Sequence, residues 1–326
     1  MNNDVISLPL LEIDSLTVDY RTRRGNIRAV NNVSFTLEKG ETLGVVGESG
    51  SGKTTLGLSI IRLIPPPGIT VNGHIRIDGT DILSLSEEEM RSLRGKKVAF
   101  VFQDPMTSLN PVKKVGTHFV ELIRTHEPTI SERKTLERAE SALNDVGILP
   151  ERINDYPHQF SGGMRQRIMI ALGIALNPDL VIADEPTTAL DVIVQAKTLD
   201  LLRKLRDTYG MALMLITHDL SIVLERCDKI LVMYAGSLVE YASSTELHKN
   251  PMHPYTQGLL QSIPNIELAD QKLEAIPGSP PNLLNPPKGC RFWPRCSTRK
   301  KECRMEEPPV IESSSGHFVR CLKEGT

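Results

Sequence analysis

Residues 41–54 read ETLGVVGESGSGKT, and this stretch decides the fold. Its first part is a short apolar strand, and its second part fits the phosphate-binding pattern G-x-x-x-x-G-K-[ST]. The chain then continues as a predicted helix from Thr54 to Leu63, which three prolines end. A glycine-rich loop between a strand and a helix directs backbone N–H groups and the helix dipole toward phosphate. The sequence therefore predicts a nucleotide-phosphate site on a β/α fold.

The phosphate-binding loop, residues 47–54 and called the P-loop below, also supplies side chains for a nucleotide. Lys53 can reach the β- and γ-phosphates, and the hydroxyl of Thr54 suits Mg²⁺. The predicted nucleotide contacts of this region are Gly47, Glu48, Ser49, Gly50, Ser51, Gly52, Lys53, Thr54 and Thr55.

Two acids follow a second apolar stretch, LVIADE at residues 180–185. A buried strand would present Asp184 and Glu185 at its carboxyl end, where open α/β sheets bind ligands. We expect Asp184 to hold Mg²⁺, directly or through water. Glu185 is then the candidate that orients and polarises the attacking water.

The string YPHQFSGGMRQR, residues 156–167, lies about 20 residues before these acids. Ser161, Gly162 and Gly163 stand where a helix should begin, so a facing phosphate would meet free N–H groups and a hydroxyl. The core FSGGM resembles the LSGGQ signature of ATP-binding cassette (ABC) proteins, with Phe for Leu and Met for Gln.

Other elements of the ABC pattern follow in order. Gln103 in FVFQDP matches the Q-loop glutamine, a further Mg²⁺ ligand, and Asp191 in ALD matches the D-loop. His218 in LITHDL matches the switch histidine, and Tyr20 stands where the family stacks an aromatic ring on adenine. Each residue alone has a structural explanation, but their order and spacing resemble an ABC ATPase over roughly residues 10–250. The resemblance assigns catalysis to Glu185, with Lys53, Gln103 and His218.

The strings DPMTSLNP (104–111), FSGGMRQR, IADEPTTALDV and HPYT (253–256) resemble, more narrowly, the D-type ATPases of oligopeptide and dipeptide importers. This resemblance implies an ATPase that powers import through two separate transmembrane permease subunits. A second ATPase subunit, a copy of this chain or a related F-type subunit, would dimerise with it head to tail around two ATP molecules. It also implies an extracellular solute-binding protein, and a peripheral position at the cytoplasmic face of the membrane.

Alternative functions remain in the same and in different classes. Oligosaccharides or nickel could replace peptides as cargo. A soluble ABC ATPase of DNA repair or translation would need a long coiled-coil insertion or two cassettes, and the guanine-reading N-K-x-D string of a GTPase is absent. The net charge of -2 argues against nucleic acid as a partner, and the basic clusters at 21–28 and 291–301 have few interleaved aromatics.

The overall composition, with 326 residues, 40% hydrophobic and 24% charged, is that of a globular protein with a sizeable core. We expect an α/β fold: a P-loop ABC nucleotide-binding domain with an antiparallel β edge at its front. The ATPase domain would span residues 1–250, with a helical insertion at about 111–177. Residues 251–326, rich in Pro and Cys, would form a small C-terminal extension.

Four of the five cysteines lie in this extension: Cys290, Cys296, Cys303 and Cys321. No pair has the C-x-x-C spacing of most zinc ribbons, whereas four thiolates in a short segment suit a [4Fe–4S] cluster. Zinc and free thiols remain alternatives. The tail resembles the iron–sulfur tail of some peptide-importer ATPases, and its neighbouring Arg and Lys residues would offset the cluster's negative charge.

Overall fold

The protein is described by a computed structural model over residues 8–104, 108–188, 191–263 and 275–322. The chain forms two compact units. The first unit is built from the chain up to Leu37, from Thr42–Leu83, and from Leu215 onward. The second unit consists of Glu38–Glu41 and Ser84–Met214.

Strands and helices alternate along the described residues. The strands are β1 (Leu11–Thr22), β2 (Gly25–Leu37), β3 (Thr42–Val46), β4 (Gly68–Ile77), β5 (Thr80–Asp81), β6 (Val98–Val101), β7 (Leu180–Asp184), β8 (Ala212–Thr217), β9 (Lys229–Tyr234), β10 (Ser237–Ser243), β11 (Ile311–Ser314) and β12 (His317–Val319). The α-helices are α1 (Lys53–Ile60), α2 (Glu87–Leu93), α3 (Val115–His126), α4 (Glu132–Asp145), α5 (Gly162–Ile174), α6 (Val192–Tyr209), α7 (Leu220–Arg226), α8 (Ser244–Lys249), α9 (Pro254–Gln261) and α10 (Glu302–Met305).

An antiparallel sheet forms the front of the first unit, in the order β2–β1–β4–β5. Strand β1 lies in the middle, and its buried Ile13 is paired with Phe35 on one side and Ile75 on the other. The three side chains stand on paired positions and so share one face of the sheet. This sheet confirms the predicted antiparallel edge.

The first unit also contains the parallel pair of β3 and β9. All five residues of β3 are buried, as expected for a parallel strand covered on both faces. Antiparallel strands extend the pair: β10 lies beside β9, and the hairpin of β11 and β12 follows β10. The C-terminal extension thus contributes two strands to the sheet, which the sequence patterns did not predict.

The second unit combines the parallel strands β6 and β7 with helices. Helices α3, α4 and α5 lie in the region where a helical insertion was expected, at about 111–177. Helix α4 begins after Ser131, whose hydroxyl accepts a hydrogen bond from the N–H of Lys134 and so caps the first turn. Among the helices of the described ranges, none has both the length and the apolar character needed to cross a bilayer.

Candidate functional site

The P-loop follows the buried strand β3 and leads directly into helix α1. Its backbone curls through positive φ angles at Gly47 (157°), Gly50 (77°) and Gly52 (99°). A Cβ at Gly47 would lie 2.1 Å from the carbonyl oxygen of Met233, and one at Gly52 would lie 2.1 Å from that of Ala29. Both positions therefore require glycine for steric reasons as well as for conformation.

Lys53, the first residue of α1, is buried, and its ammonium lies against the P-loop. Its Nζ donates to the carbonyl oxygens of Gly47 (2.7 Å) and Glu48 (3.0 Å). Two carbonyls thus hold a cation at the N-terminus of a helix, the end whose dipole also favours anions. The hydroxyl of Thr54 is on the exposed next residue of the helix.

Tyr20 lies beside the start of α1, where its hydroxyl shares a 3.3 Å hydrogen bond with the hydroxyl of Thr55. Its ring also lies close to strand β4, because a Cβ on Gly68 would come within 2.8 Å of the ring carbon Cε1. The aromatic ring is therefore next to the helix that the P-loop begins. Its stacking on adenine stays a prediction.

The two acids stand at the end of β7. Asp184 is the last residue of the strand and is 3% exposed, and Glu185 follows with φ of 44°. The amide Nε2 of Gln103 donates to Glu185 Oε2 at 3.2 Å, and the hydroxyl of Thr188 donates to the same oxygen at 2.7 Å. The structure thus brings together Gln103 and Glu185, which are 82 residues apart in the sequence.

Thr188 is a contact that the sequence patterns missed. The available signal was a hydroxyl three residues after the acid in the string DEPTT. Its donated hydrogen bond fixes one carboxylate oxygen of Glu185.

The signature residues begin helix α5. Ser161 is its N-cap, and its hydroxyl accepts a 3.4 Å hydrogen bond from the N–H of Met164. A Cβ at Gly162 would meet nothing within 4 Å, whereas one at Gly163 would lie 2.8 Å from a methyl group of Val194. Gly163 therefore permits close packing against α6, while Gly162 leaves the exposed helix start open.

Asp191 and His218, the candidate residues of the D-loop and the switch, each lie at the end of an element of secondary structure. Asp191 caps helix α6, because its carboxylate accepts a 2.9 Å hydrogen bond from the N–H of Val194. The two residues before it in the D-loop string, 189–190, lie outside the described residues. His218 is exposed and follows β8 directly.

The candidate residues are divided between the two units. Tyr20, the P-loop and His218 belong to the first unit, whereas Gln103 and the acids belong to the second. The second unit also holds the signature residues Ser161, Gly162 and Gly163, together with Asp191.

The four cysteines of the C-terminal extension line one small cavity of about 20 Å³, called the cysteine pocket below: Cys290, Cys296, Cys303 and Cys321. The N–H of Cys290 donates to the carbonyl oxygen of Cys303 at 2.8 Å. Burial is the main cause that raises the pKa of the Cys290 thiol to about 11, and the thiols of Cys303 and Cys296 contribute to the rise. Within the part of the chain that the structure describes, no three His, Cys, Asp or Glu side chains are grouped closely enough to hold a metal ion.

The surroundings of the cysteine pocket differ from the sequence expectation. Of the neighbouring basic residues, Arg299 and Lys300 line the pocket. The guanidinium of Arg295 instead contacts Glu48, and that of Arg291 donates to the main-chain oxygen of Ala235. These last two cations are held by other partners and do not surround the thiols.

His317 is not among the pocket residues. It is 1% exposed, and its Nε2 lies 2.8 Å from a carboxylate oxygen of Glu240, which is fully buried. This hydrogen bond raises the pKa of His317. The pair joins strand β12 of the extension to strand β10.

The fold and the P-loop define the nucleotide-binding domain of an ABC ATPase. The family described as "ABC transporter" matches residues 30–188, and the family described as "Oligopeptide/dipeptide transporter, C-terminal region" matches residues 239–303. Among solved structures, a dimeric ATP-binding cassette in a post-hydrolysis state with ADP and Pi has a TM-score of 0.64 and 28% identity. The matched region covers 72% of this chain and 98% of the chain in that structure.

Curated relatives extend the likeness over nearly the whole chain. The oligopeptide transport ATP-binding protein OppD of Bacillus subtilis is 48% identical, over 95% of this chain and 88% of its own length. The dipeptide transport ATP-binding protein DppD of Lactococcus lactis is 43% identical, over 95% of this chain and 90% of its own length. The chain belongs to the family of ATP-binding proteins of oligopeptide and dipeptide ABC transporters.

Proposed function

We propose that this chain hydrolyses ATP to power the import of di- and oligopeptides through two separate transmembrane permease subunits. The observation that carries the proposal is the P-loop with Lys53 seated on it, in a chain whose relatives are oligopeptide and dipeptide transport ATP-binding proteins. The chain would lie peripherally at the cytoplasmic face of the membrane and receive its cargo indirectly from an extracellular solute-binding protein.

Phosphoryl transfer to water depends chiefly on positioning and charge stabilisation. Lys53 and the P-loop N–H groups hold the β- and γ-phosphates. Glu185, oriented by the hydrogen bonds from Gln103 and Thr188, holds the attacking water and accepts its proton. His218 stabilises charge on the γ-phosphate.

Mg²⁺ is assigned to Thr54, Gln103 and Asp184. Their hydroxyl, amide and carboxylate oxygens are the hard donors that this cation binds. The buried carboxylate of Asp184 at a strand end fits a cationic partner, because a carboxylate out of water needs compensation. When bound, Mg²⁺ supplies neutralisation of the phosphate charge.

The proposed active assembly is a head-to-tail pair of ATPase subunits, in which the partner is a second copy or a related F-type subunit. Ser161, Gly162 and Gly163 would then contact the phosphate bound to the partner, with Asp191 at the interface. Two features support this: the open surface at Gly162, and the dimeric state of the similar cassette with ADP and Pi.

We propose that the cysteine pocket holds a [4Fe–4S] cluster. The four thiol donors that such a cluster needs line one cavity. A single zinc ion is the alternative, because it too can take four cysteine ligands.

The domain boundaries are proposed at residues 1–250 for the ATPase domain and 251–326 for the extension. Helix α8 ends at Lys249, close to this boundary. Helices α3, α4 and α5 all lie within the helical insertion at about 111–177.

Peptide uptake by cells that carry Lys53→Ala in this chain tests the cargo. We expect uptake of a labelled tripeptide to stop, while uptake of nickel and of a labelled oligosaccharide continues. Normal tripeptide uptake, with loss of either of the other two, would assign the chain to that cargo. Unchanged uptake of all three would reject a transport role.

A further inference from the structure

Glu48, the second residue of the P-loop, is held by three separate side chains. Its carboxylate forms two parallel contacts with the guanidinium of Arg295, at 2.7 Å (Nη1 to Oε2) and 2.9 Å (Nη2 to Oε1). Its main-chain N–H donates to the hydroxyl of Tyr255 at 2.9 Å. Its carbonyl oxygen accepts from Lys53. Of these three partners, Arg295 and Tyr255 belong to the C-terminal extension.

Arg295 also has contacts other than Glu48 that hold its side chain in place. Its side chain is 5% exposed, and its Nε donates to the carbonyl oxygen of Pro277 at 2.8 Å. Nη1 also lies 3.3 Å from the hydroxyl of Tyr234. The hydrogen bond to Glu48 raises the pKa of Arg295, so the group stays charged. A bidentate guanidinium with this many partners fixes the direction of the carboxylate as well as its charge.

Tyr255 is equally rigid. It is fully buried at the start of α9, with its ring centre 4.7 Å from that of Tyr234 and 5.4 Å from that of Phe292. Its hydroxyl therefore has a fixed position and accepts the N–H of Glu48 there. The C-terminal extension thus contacts both the side chain of Glu48, through Arg295, and its main chain, through Tyr255.

The charge of Glu48 matters because the P-loop binds a polyanion. An uncompensated carboxylate within a few ångströms of a triphosphate repels it, and partial burial strengthens the repulsion. Pairing with Arg295 cancels that charge. The P-loop pattern leaves this second position free, so an acid there needs a partner from elsewhere in the chain.

We propose that Arg295 is a positioning residue for the P-loop: it neutralises Glu48 and fixes the direction of its carboxylate, so that the C-terminal extension sets the affinity for ATP. The inference deepens the proposed ATPase function and rests on it. The next residue, Cys296, lines the cysteine pocket, so that pocket and the P-loop are connected through one short rigid turn, Trp293–Arg295.

The test compares full-length variants in equilibrium binding of ATP with Mg²⁺ and in steady-state hydrolysis. We expect Arg295→Gln to raise the Kd and KM for ATP by about tenfold, because it leaves the partly buried carboxylate of Glu48 without its cation. The kcat should change by less than about threefold, because the residue does not touch the reacting atoms. Arg295→Lys, which keeps the charge but loses the bidentate contact, should recover part of the affinity.

Arg304→Gln is the matched control. Arg304 is an exposed arginine of the same extension that packs over Trp293 at 5.5 Å and does not line the cysteine pocket. The same loss of charge occurs there without loss of the contact to Glu48. We expect its Kd for ATP to stay within about twofold of the wild type.

A double-mutant cycle with Glu48→Gln separates the charge pair from general damage to the fold. Arg295→Gln should cost less than about threefold in Kd when residue 48 is already Gln, because no carboxylate remains there to be compensated. An equal loss in both backgrounds, or an unchanged Kd in Arg295→Gln, overturns the inference. Absence of ATP binding by the wild-type chain would instead reject the proposed ATPase function.

Discussion

Replacing Glu185 by Gln should stop ATP turnover while leaving the geometry around residue 185 intact. In the structure one carboxylate oxygen accepts hydrogen bonds from Gln103 (3.2 Å) and Thr188 (2.7 Å). A glutamine can present its amide oxygen to the same two donors, so the anchoring contacts persist. The opposite oxygen becomes an NH₂ group, which can neither accept a proton from water nor orient it as a carboxylate does.

The expected effect follows from this difference. Loss of a general base lowers the rate by about 10²–10⁴-fold. At about 1.36 kcal/mol per factor of ten, this is about 2.7–5.4 kcal/mol of lost transition-state stabilisation. Binding should be almost unaffected, because the two anchoring hydrogen bonds remain and the P-loop lies elsewhere in the chain.

Phosphate release at saturating ATP and Mg²⁺ measures the rate, and equilibrium ATP binding measures the affinity. The variant with ATP should also accumulate as a dimer in size-exclusion chromatography. Glu88→Gln, on the exposed face of helix α2 in the same unit, is the matched control and should match the wild type. Turnover in Glu185→Gln within about threefold of the wild type would remove Glu185 from the mechanism.

Three further predictions concern the rest of the site. Lys53→Ala should abolish or greatly weaken ATP binding in calorimetry, whereas Ser161→Arg should spare binding and block the closed dimer; equal loss of binding in both would contradict a signature that acts across an interface. Protein purified without oxygen should be brown, with broad absorption near about 400 nm and about four iron and four sulfide per chain, and Cys296→Ser should lose the colour but keep ATP binding. Zinc at one per chain without colour would favour the alternative, and neither metal would leave free thiols. The pKa of His317 is raised in the folded protein, so its pair with Glu240 stabilises the fold most below the ordinary histidine pKa of about 6.5. This stabilisation decreases as the pH rises through the pKa of His317 in the folded protein. The difference in thermal midpoint between the wild type and His317→Gln should therefore decrease from pH 6 to pH 9, and a constant difference would count against the pair.

Much of the nucleotide site was predictable because its chemistry is local. A strand, a glycine-rich turn and a helix start are encoded by neighbouring residues, so GESGSGKT predicts where phosphate binds. That a Cβ at Gly47 or Gly52 would meet the carbonyl oxygens of Met233 and Ala29 is known only from the structure. The position of Asp184 at a strand end and of Ser161 at a helix start also follows from patterns within a few residues.

Contacts between distant residues were not predictable in this way. The sequence placed Gln103 and Glu185 in one site but did not predict the hydrogen bond between them. The contact of Thr188 with Glu185 was not predicted at all. The pattern of the cysteines suggested a shared function, but not that Arg295 would turn away from them.

The class of fold and the P-loop follow from the sequence alone, because short-range sterics and hydrogen bonding specify a strand, a glycine-rich turn and a helix start. The contacts of the C-terminal extension depend instead on the tertiary fold. Strand β12 joins β10, His317 pairs with Glu240 across 77 residues, and Arg295 reaches Glu48 across 247. Such pairings form because burying one charged side chain requires a partner of opposite charge, and the fold, not the spacing along the chain, determines which partner is near.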